Sequence, residues 1–235
     1  EVQIEGRIAS DGVFFSDFNG VIYPIVYDKE IIRTTLGQES CTPMPYRDQN
    51  NILYKGASTV KDGEFSFSFI VPKDINYNYG AGKISYYAVT DTENSIDANG
   101  VENNFIIGGT ADNIVYDYDE PELSLFMNDT LFINGGITDP NPVLIADIFD
   151  VSGINTVGNG IGHDITAILD GNTTNPYILN DFYESAKDDF TRGSIRFPLN
   201  NLSSGPHSIT LKVWDVFNNS SEATINFIVT DPNDL

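Results

Sequence analysis

The 235 residues hold 34 acidic against 12 basic side chains, a net charge of −22, and no basic stripe that could neutralise a phosphate backbone, so nucleic acid is not the partner. Hydrophobic residues make up 40% of the chain and aromatics 12%, enough to build a packed core and too much for global disorder. The lone Cys41 excludes an internal disulfide and a thiolate zinc site, and no apolar run reaches membrane-spanning length.

Strand signals begin at once. EVQIEGRI (1–8) alternates in period two with no signal peptide ahead of it, as expected of a segment of a longer protein. The runs 20–27, 51–58, 64–71, 83–89 and 103–108 follow, short and rich in β-branched or aromatic residues. Asp11-Gly12, Asn19-Gly20, Asp62-Gly63 and Asn99-Gly100 are read as the turns between them, supplying positive φ. After Asp62-Gly63 the pattern is plainest, with Phe65, Phe67 and Phe69 on one face and Ser66 and Ser68 on the other.

The acidic stretch YDYDEPE (116–122) has no apolar periodicity and reads as a linker. Beyond it the alternation resumes in 122–127, 129–135, 142–150, 163–171, 193–199, 207–215 and 222–229, with turns at Asn134-Gly135, Asp170-Gly171 and Asn218-Asn219. Residues 178–188 fit either a helix with Ile178, Phe182 and Ala186 on one face or a strand running into a loop. In HSITLKVWDVFNN (207–219), Ile209, Leu211 and Val213 alternate toward one face, Thr210, Lys212 and Trp214 take the other, and Asp215 is placed to accept backbone N–H groups just after it. Two runs of strands with turn signals every 8–12 residues predict an all-β chain of two tandem immunoglobulin-like antiparallel β-sandwiches. Their bounds are 1–116 and 123–235, joined by an acidic linker at 117–122.

Chemistry is sparse. Thiol catalysis needs a base within hydrogen-bond reach, but Cys41 lies in the first half and both histidines, His163 and His207, in the second. No G-x-S-x-G is present, and VGNGIGHD (157–164) lacks the strand-to-helix setting of a phosphate loop. Calcium is the ion to test in so acidic a chain. In 91–100, Asp91, Glu93, Ser95, Asp97 and Asn99 recur at alternate positions without the closing Glu of an EF-hand, and Asp117, Asp119 and Glu120 form the second candidate set. A solvated acidic hinge is the alternative for the latter. Tyr77, Tyr79, Tyr86 and Tyr87 raise a sugar-stacking platform against ordinary packing. Tyr86 and Tyr87 must point to opposite faces of one strand, so only one of them can join it.

Longer stretches carry a resemblance. NILYKGASTVKDGEFSFSFIVPKDINYNYGAGKISYYA (51–88), DPNPVLIADIFDVSGINTVGNGIGHDITAILDG (139–171) and ILNDFYESAKDDFTRGSIRFPLNNLSSGPHSITLKVWDVFNNSSEATINFIV (178–229) resemble the region that follows the peptidase domain in PorU-like sortases of the type IX secretion system. These belong to the gingipain-type cysteine peptidases. The resemblance implies an exported, outer-membrane-associated protein of a Gram-negative bacterium that removes C-terminal sorting domains from cargo and joins the cargo to anionic lipopolysaccharide. It also implies that the Cys–His pair lies upstream, since no residue here matches it. The partners it implies are the upstream peptidase domain, outer-membrane secretion components and cargo sorting domains. Asp129-Thr130-Leu131 resembles the O-glycosylation signal of such bacteria, with Thr130 as acceptor. An independent adhesin-like or glycan-binding module is the alternative, and it requires an exposed aromatic surface.

Overall fold

The computed structural model describes residues 1–110, 117–157 and 162–230. The end of the expected first sandwich, at 111–116, and the centre of the glycine-rich stretch, at 158–161, fall outside them. The fold is all-β, and the described part divides into two compact units. An N-terminal unit holds Ile4–Phe67 and 75–110; a C-terminal unit holds Glu1–Gln3, Ser68–Asp74 and the described residues from 117 on. Residues 68–74 thus join the C-terminal unit, although composition alone groups them with the first half. Lys73 N–H donates to the Val216 carbonyl at 2.9 Å, and Asp74 is hydrogen-bonded among C-terminal loops.

The N-terminal unit, with the first two residues of β1 and the last two of β9 assigned to the other unit, contains β1 (Val2–Arg7), β2 (Ala9–Ser10), β3 (Val13–Phe14), β4 (Gly20–Tyr27), β5 (Ile31–Thr34), β6 (Pro45–Asp48), β7 (Ile52–Lys55), β8 (Ser58–Lys61), β9 (Glu64–Phe69), β10 (Gly80–Ala81), β11 (Lys83–Thr90), β12 (Asp97–Glu102) and β13 (Ile106–Ile107). One large sheet runs β1-β9-β8-β4-β11-β12, with β7 continuing beside β4; β2–β3, β5–β6 and β10–β13 form separate two-stranded sheets. Alternate residues of β4 and β11 turn inward. Ile22 and Ala88 (each 1% exposed) pack with Val60, Ile8 and the fully buried Phe18, and Phe15, Phe65 and Tyr86 close around them.

Asp11-Gly12 and Asp62-Gly63 are the expected tight turns, with φ of 51° and 79°, and 52° and 78°. The other two dipeptides are not turns. Asn99-Gly100 lies within β12. Gly20 opens β4, where a Cβ would collide with the Val89 carbonyl of β11, so this glycine serves a close approach of strands.

The C-terminal unit contains β14 (Glu122–Met127), β15 (Ile137–Thr138), β16 (Val143–Phe149), β17 (Thr166–Leu169), β18 (Tyr177–Ile178), β19 (Tyr183–Ala186), β20 (Asp189–Pro198), β21 (Gly205–Trp214) and β22 (Ser220–Val229). Two sheets, β14-β16-β20-β19 and β15-β22-β21-β17-β18, face each other across one core. Taken as A to G, these are the ABED and A′GFCC′ sheets of an immunoglobulin fold, including a short parallel pairing of β15 with β22. Ile209, Leu211 and Val213 of β21 are all 0% exposed and pack against Leu144, Ala146 and Ile195 of the opposite sheet. Residues 178–188 take the strand option, broken by one 3₁₀ turn at Asn180–Phe182. The helical stripe is ruled out by burial, since Leu179 and Tyr183 point to the core while Ile178 and Phe182 are exposed. No helix among the described residues is long and apolar enough to cross a membrane.

Candidate functional site

The edge of the C-terminal sandwich where β16 and β21 end gathers buried polar chemistry. Past β21 the chain turns through Asp215–Asn218 into β22, with Asn218 at φ 71°. Asp215 is 0% exposed and organises this turn. Its Oδ1 accepts N–H bonds from Phe217 (2.9 Å) and Asn219 (2.7 Å), and its Oδ2 accepts Asn219 Nδ2 (2.7 Å). The expected capping role of Asp215 is therefore observed. Past β16, Asp150 (3% exposed) does the same for its own turn, accepting Ser152 N–H at 2.8 Å. A bridge between Ile154 and Asp215, together with Asn155 N–H to the Trp214 carbonyl at 2.8 Å, holds the two turns side by side.

Asp117 completes the group. Its Oδ2 accepts the Ser152 hydroxyl, its Oδ1 accepts Asp119 N–H at 3.0 Å, and its carbonyl accepts Asn219 Nδ2 at 3.2 Å. One carboxylate oxygen from each of Asp117, Asp150 and Asp215 lies within 4.8 Å of the others. That spacing is about twice a calcium–oxygen bond, so these three oxygens can share one cation's shell. Burial pushes the Asp150 carboxyl up to about 7, and the charges of Asp215 and Asp117 add to the rise against the opposing Ser152 and Gly153 N–H groups. Burial likewise raises Asp215, offset in part by its bonds to Asn219 and Phe217. Without a cation, Asp150 and Asp215 hold their protons more tightly than free carboxylates do.

Of the expected linker trio, only Asp117 joins this cluster; Asp119 and Glu120 are exposed. Asp150 and Asp215 are the residues that strand periodicity did not single out as ligands. A usable signal was present, because both stand in the same setting, aromatic–Asp–Val at a strand end (Phe149-Asp150-Val151 and Trp214-Asp215-Val216).

A second network sits close by in the same unit. Asp74 (6% exposed) accepts Asn155 Nδ2 at 2.8 Å and Asn218 Nδ2 at 3.0 Å, and meets His163 Nδ1 at 2.5 Å. The His163 ring packs 4.2 Å from the Trp214 ring. His207 is held at the far end of β21, with Nδ1 2.8 Å from Asp170 Oδ2 and Nε2 2.8 Å from the Ser203 carbonyl. Both partners are acceptors, so both ring nitrogens must carry protons. Burial opposes that charge, but the Ser203 carbonyl and the Asp170 carboxylate outweigh it and hold the His207 pKa above its ordinary value. The two imidazoles thus serve Asp74 and Asp170, while Cys41 is exposed in the β5–β6 connection of the N-terminal unit.

The remaining candidates are dispersed. Asp91, Glu93, Ser95, Asp97 and Asn99 are all exposed, and the last two lie in β12. Tyr77 and Tyr79 are exposed at 49% and 78%. Tyr86 packs inward against Phe65 at 5.7 Å and Tyr87 points outward, as strand alternation requires. Thr130 is exposed in the turn after β14.

No family model matches the chain, and no curated protein does. Among solved structures it is similar to the crystal structure of dimeric latent PorU from Porphyromonas gingivalis, at 36% identity and a TM-score of 0.51, covering 98% of this chain and 22% of that one. Fibronectin(III)-like modules of CbhA from Clostridium thermocellum align over 99% of this chain and 86% of theirs at 11% identity and a TM-score of 0.30, which adds nothing to the fold assignment. With more than a third of its residues identical over nearly its whole length, the chain is a PorU-like region spanning about a fifth of the PorU chain it matches.

Proposed function

We propose that this chain is the non-catalytic accessory C-terminal region of a type IX secretion sortase, exported and held at the outer-membrane surface. Its two β units brace the upstream peptidase domain and present it to secretion components and to cargo sorting domains. The observation that carries this reading is the match over 98% of the chain to only 22% of PorU, which leaves room for a separate catalytic domain. It is supported by His207, whose two ring nitrogens are both taken by Asp170 and the Ser203 carbonyl, so that neither is free to act as a base. In this reading the calcium role passes from Asp119 and Glu120 to Asp150 and Asp215, which join Asp117 to stiffen the edge of the C-terminal sandwich. Thr130 is the glycan acceptor.

The test is cargo cleavage by the full-length parent. Cys41→Ser, His163→Gln and His207→Gln should each leave kcat within about twofold of the unmodified enzyme. A Cys41→Ser variant that folds normally and has lost turnover refutes the accessory role.

A further inference from the structure

The large sheet of the N-terminal unit exposes more aromatic surface than strand pairing needs. Residues of β4 and β11 that do not enter the core line the opposite face in rows fixed by register. One row is Ile25–Ser85–Val101, and the next is Tyr23–Tyr87–Asn99. Tyr23 and Tyr87 are direct cross-strand neighbours, 45% and 46% exposed, with ring centroids 6.3 Å apart and planes 27° from parallel. Val101 beside them is 65% exposed, and Asn99 is exposed as well. The pair stands on two central strands joined by eight consecutive residue pairs, so the rings sit on a rigid base.

We propose that this face is a glycan-binding platform that takes a segment of neutral polysaccharide across Tyr23 and Tyr87. Pyranose rings present C–H faces that pack on aromatic rings, while their hydroxyls need donors and acceptors at the rim. The two phenolic hydroxyls, Ser85 and the Asn99 amide supply both.

Charge selects the class. A chain of net charge −22 repels acidic polysaccharides, nucleic acids and acidic peptides alike. The bases on this face do not reverse that, and Lys61 of β8 stands opposite Glu64 of β9. Lys83 already lies over the Tyr27 ring at 4.2 Å, and Lys55 is engaged within the protein. Asp97, at the other end of the same face, offsets one of them. An uncharged sugar chain meets the aromatic pair without crossing a repulsive field. This surface belongs to the N-terminal unit and the carboxylate cluster to the C-terminal unit, and the proposal does not depend on the sortase reading.

The experiment is native affinity electrophoresis of the 235-residue chain in gels containing dextran, yeast mannan or hydroxyethylcellulose, with polygalacturonate as the acidic comparison. At least one neutral polymer should retard the chain. Tyr23→Ala/Tyr87→Ala should lose about tenfold in apparent affinity, the worth of two ring contacts, and should keep its thermal midpoint to within a few degrees. Tyr23→Phe/Tyr87→Phe should retain most of the retardation, because stacking survives. Should the double alanine variant not fold, Tyr87→Gln gives the same comparison. No retardation by any neutral polymer, unchanged retardation of the alanine or Gln variant, or retardation by polygalacturonate alone overturns the proposal.

Discussion

Strands β4 and β11 of the N-terminal unit and strands β21 and β22 of the C-terminal unit are built from the same alternation, yet their outward faces differ. In the C-terminal pair two of the outward rows are Thr210 with Thr224, hydroxyls 2.8 Å apart, and Lys212 with Glu222 at 2.9 Å. The polar groups of these two rows find their partners across the strands. In the N-terminal pair the equivalent row is Tyr23 with Tyr87, and two large rings remain open to solvent. Inward alternation therefore specifies the core in both units, and the outward residues decide which sheet is surface and which is platform.

The core half of that comparison gives the largest expected effects. Leu211→Ala in β21 and Ile22→Ala in β4 each empty a site that is at most 1% exposed, at a cost of about 2–5 kcal/mol. Trp214 is the only tryptophan and lies in the C-terminal unit, so urea unfolding followed by its fluorescence reads Leu211→Ala directly. Far-UV circular dichroism reads Ile22→Ala. A loss under 1 kcal/mol at either position would show that its strand does not hold the core.

The carboxylate cluster comes next. The folded-state pKa of Asp150 is raised from 3.8 to about 7, so the folded state binds the proton more tightly than the unfolded chain. The stability from this group is fully present below about pH 4 and is lost as pH rises through 7. With a chelator present, wild type should lose stability relative to Asp150→Asn between pH 4 and 8, by on the order of 2–4 kcal/mol. Parallel pH profiles would remove the buried cluster as a source of strain. His207 has the same sign, since its raised pKa stabilises the fold below its unfolded value and that gain fades as pH climbs through the folded one. His207→Gln should flatten that slope.

Calcium should act in the opposite sense to alkali. At pH 7.5, millimolar calcium should raise the tryptophan-monitored thermal midpoint by several degrees, and chelation should reverse it. Asp215→Asn should abolish the gain while Asp119→Asn/Glu120→Gln keeps it. If the Asp119/Glu120 variant alone loses the effect, the ion belongs to the linker trio. The smallest effect is expected at the exposed Thr130, where Thr130→Ala should leave stability within about 0.5 kcal/mol while removing a glycan mass from protein expressed in a glycosylating host.

Much of this fold can be read from residues alone wherever one face is buried. β4, β9, β11, β21 and β22 appear where period-two alternation places them, and Asp62-Gly63 turns as its residue types demand. What could not be read depends on partners distant in sequence. Gly20 looks like half of a turn until β11 is known to press against it. Ile178 and Phe182 look like a helical stripe until the sandwich claims Leu179 and Tyr183 instead. The Asp117, Asp150 and Asp215 cluster needs the immunoglobulin topology, which brings the ends of β16 and β21 to one edge. The acidic run around Asp117 drew attention to its neighbours Asp119 and Glu120, while the residues that meet it are strand-end aspartates far along the chain.

The most direct test of the accessory role is to read the gene upstream of Glu1. A gingipain-type peptidase domain, continuous in frame and carrying its own Cys–His pair, is the expected result. An open reading frame that supplies this β region with no peptidase domain would contradict it.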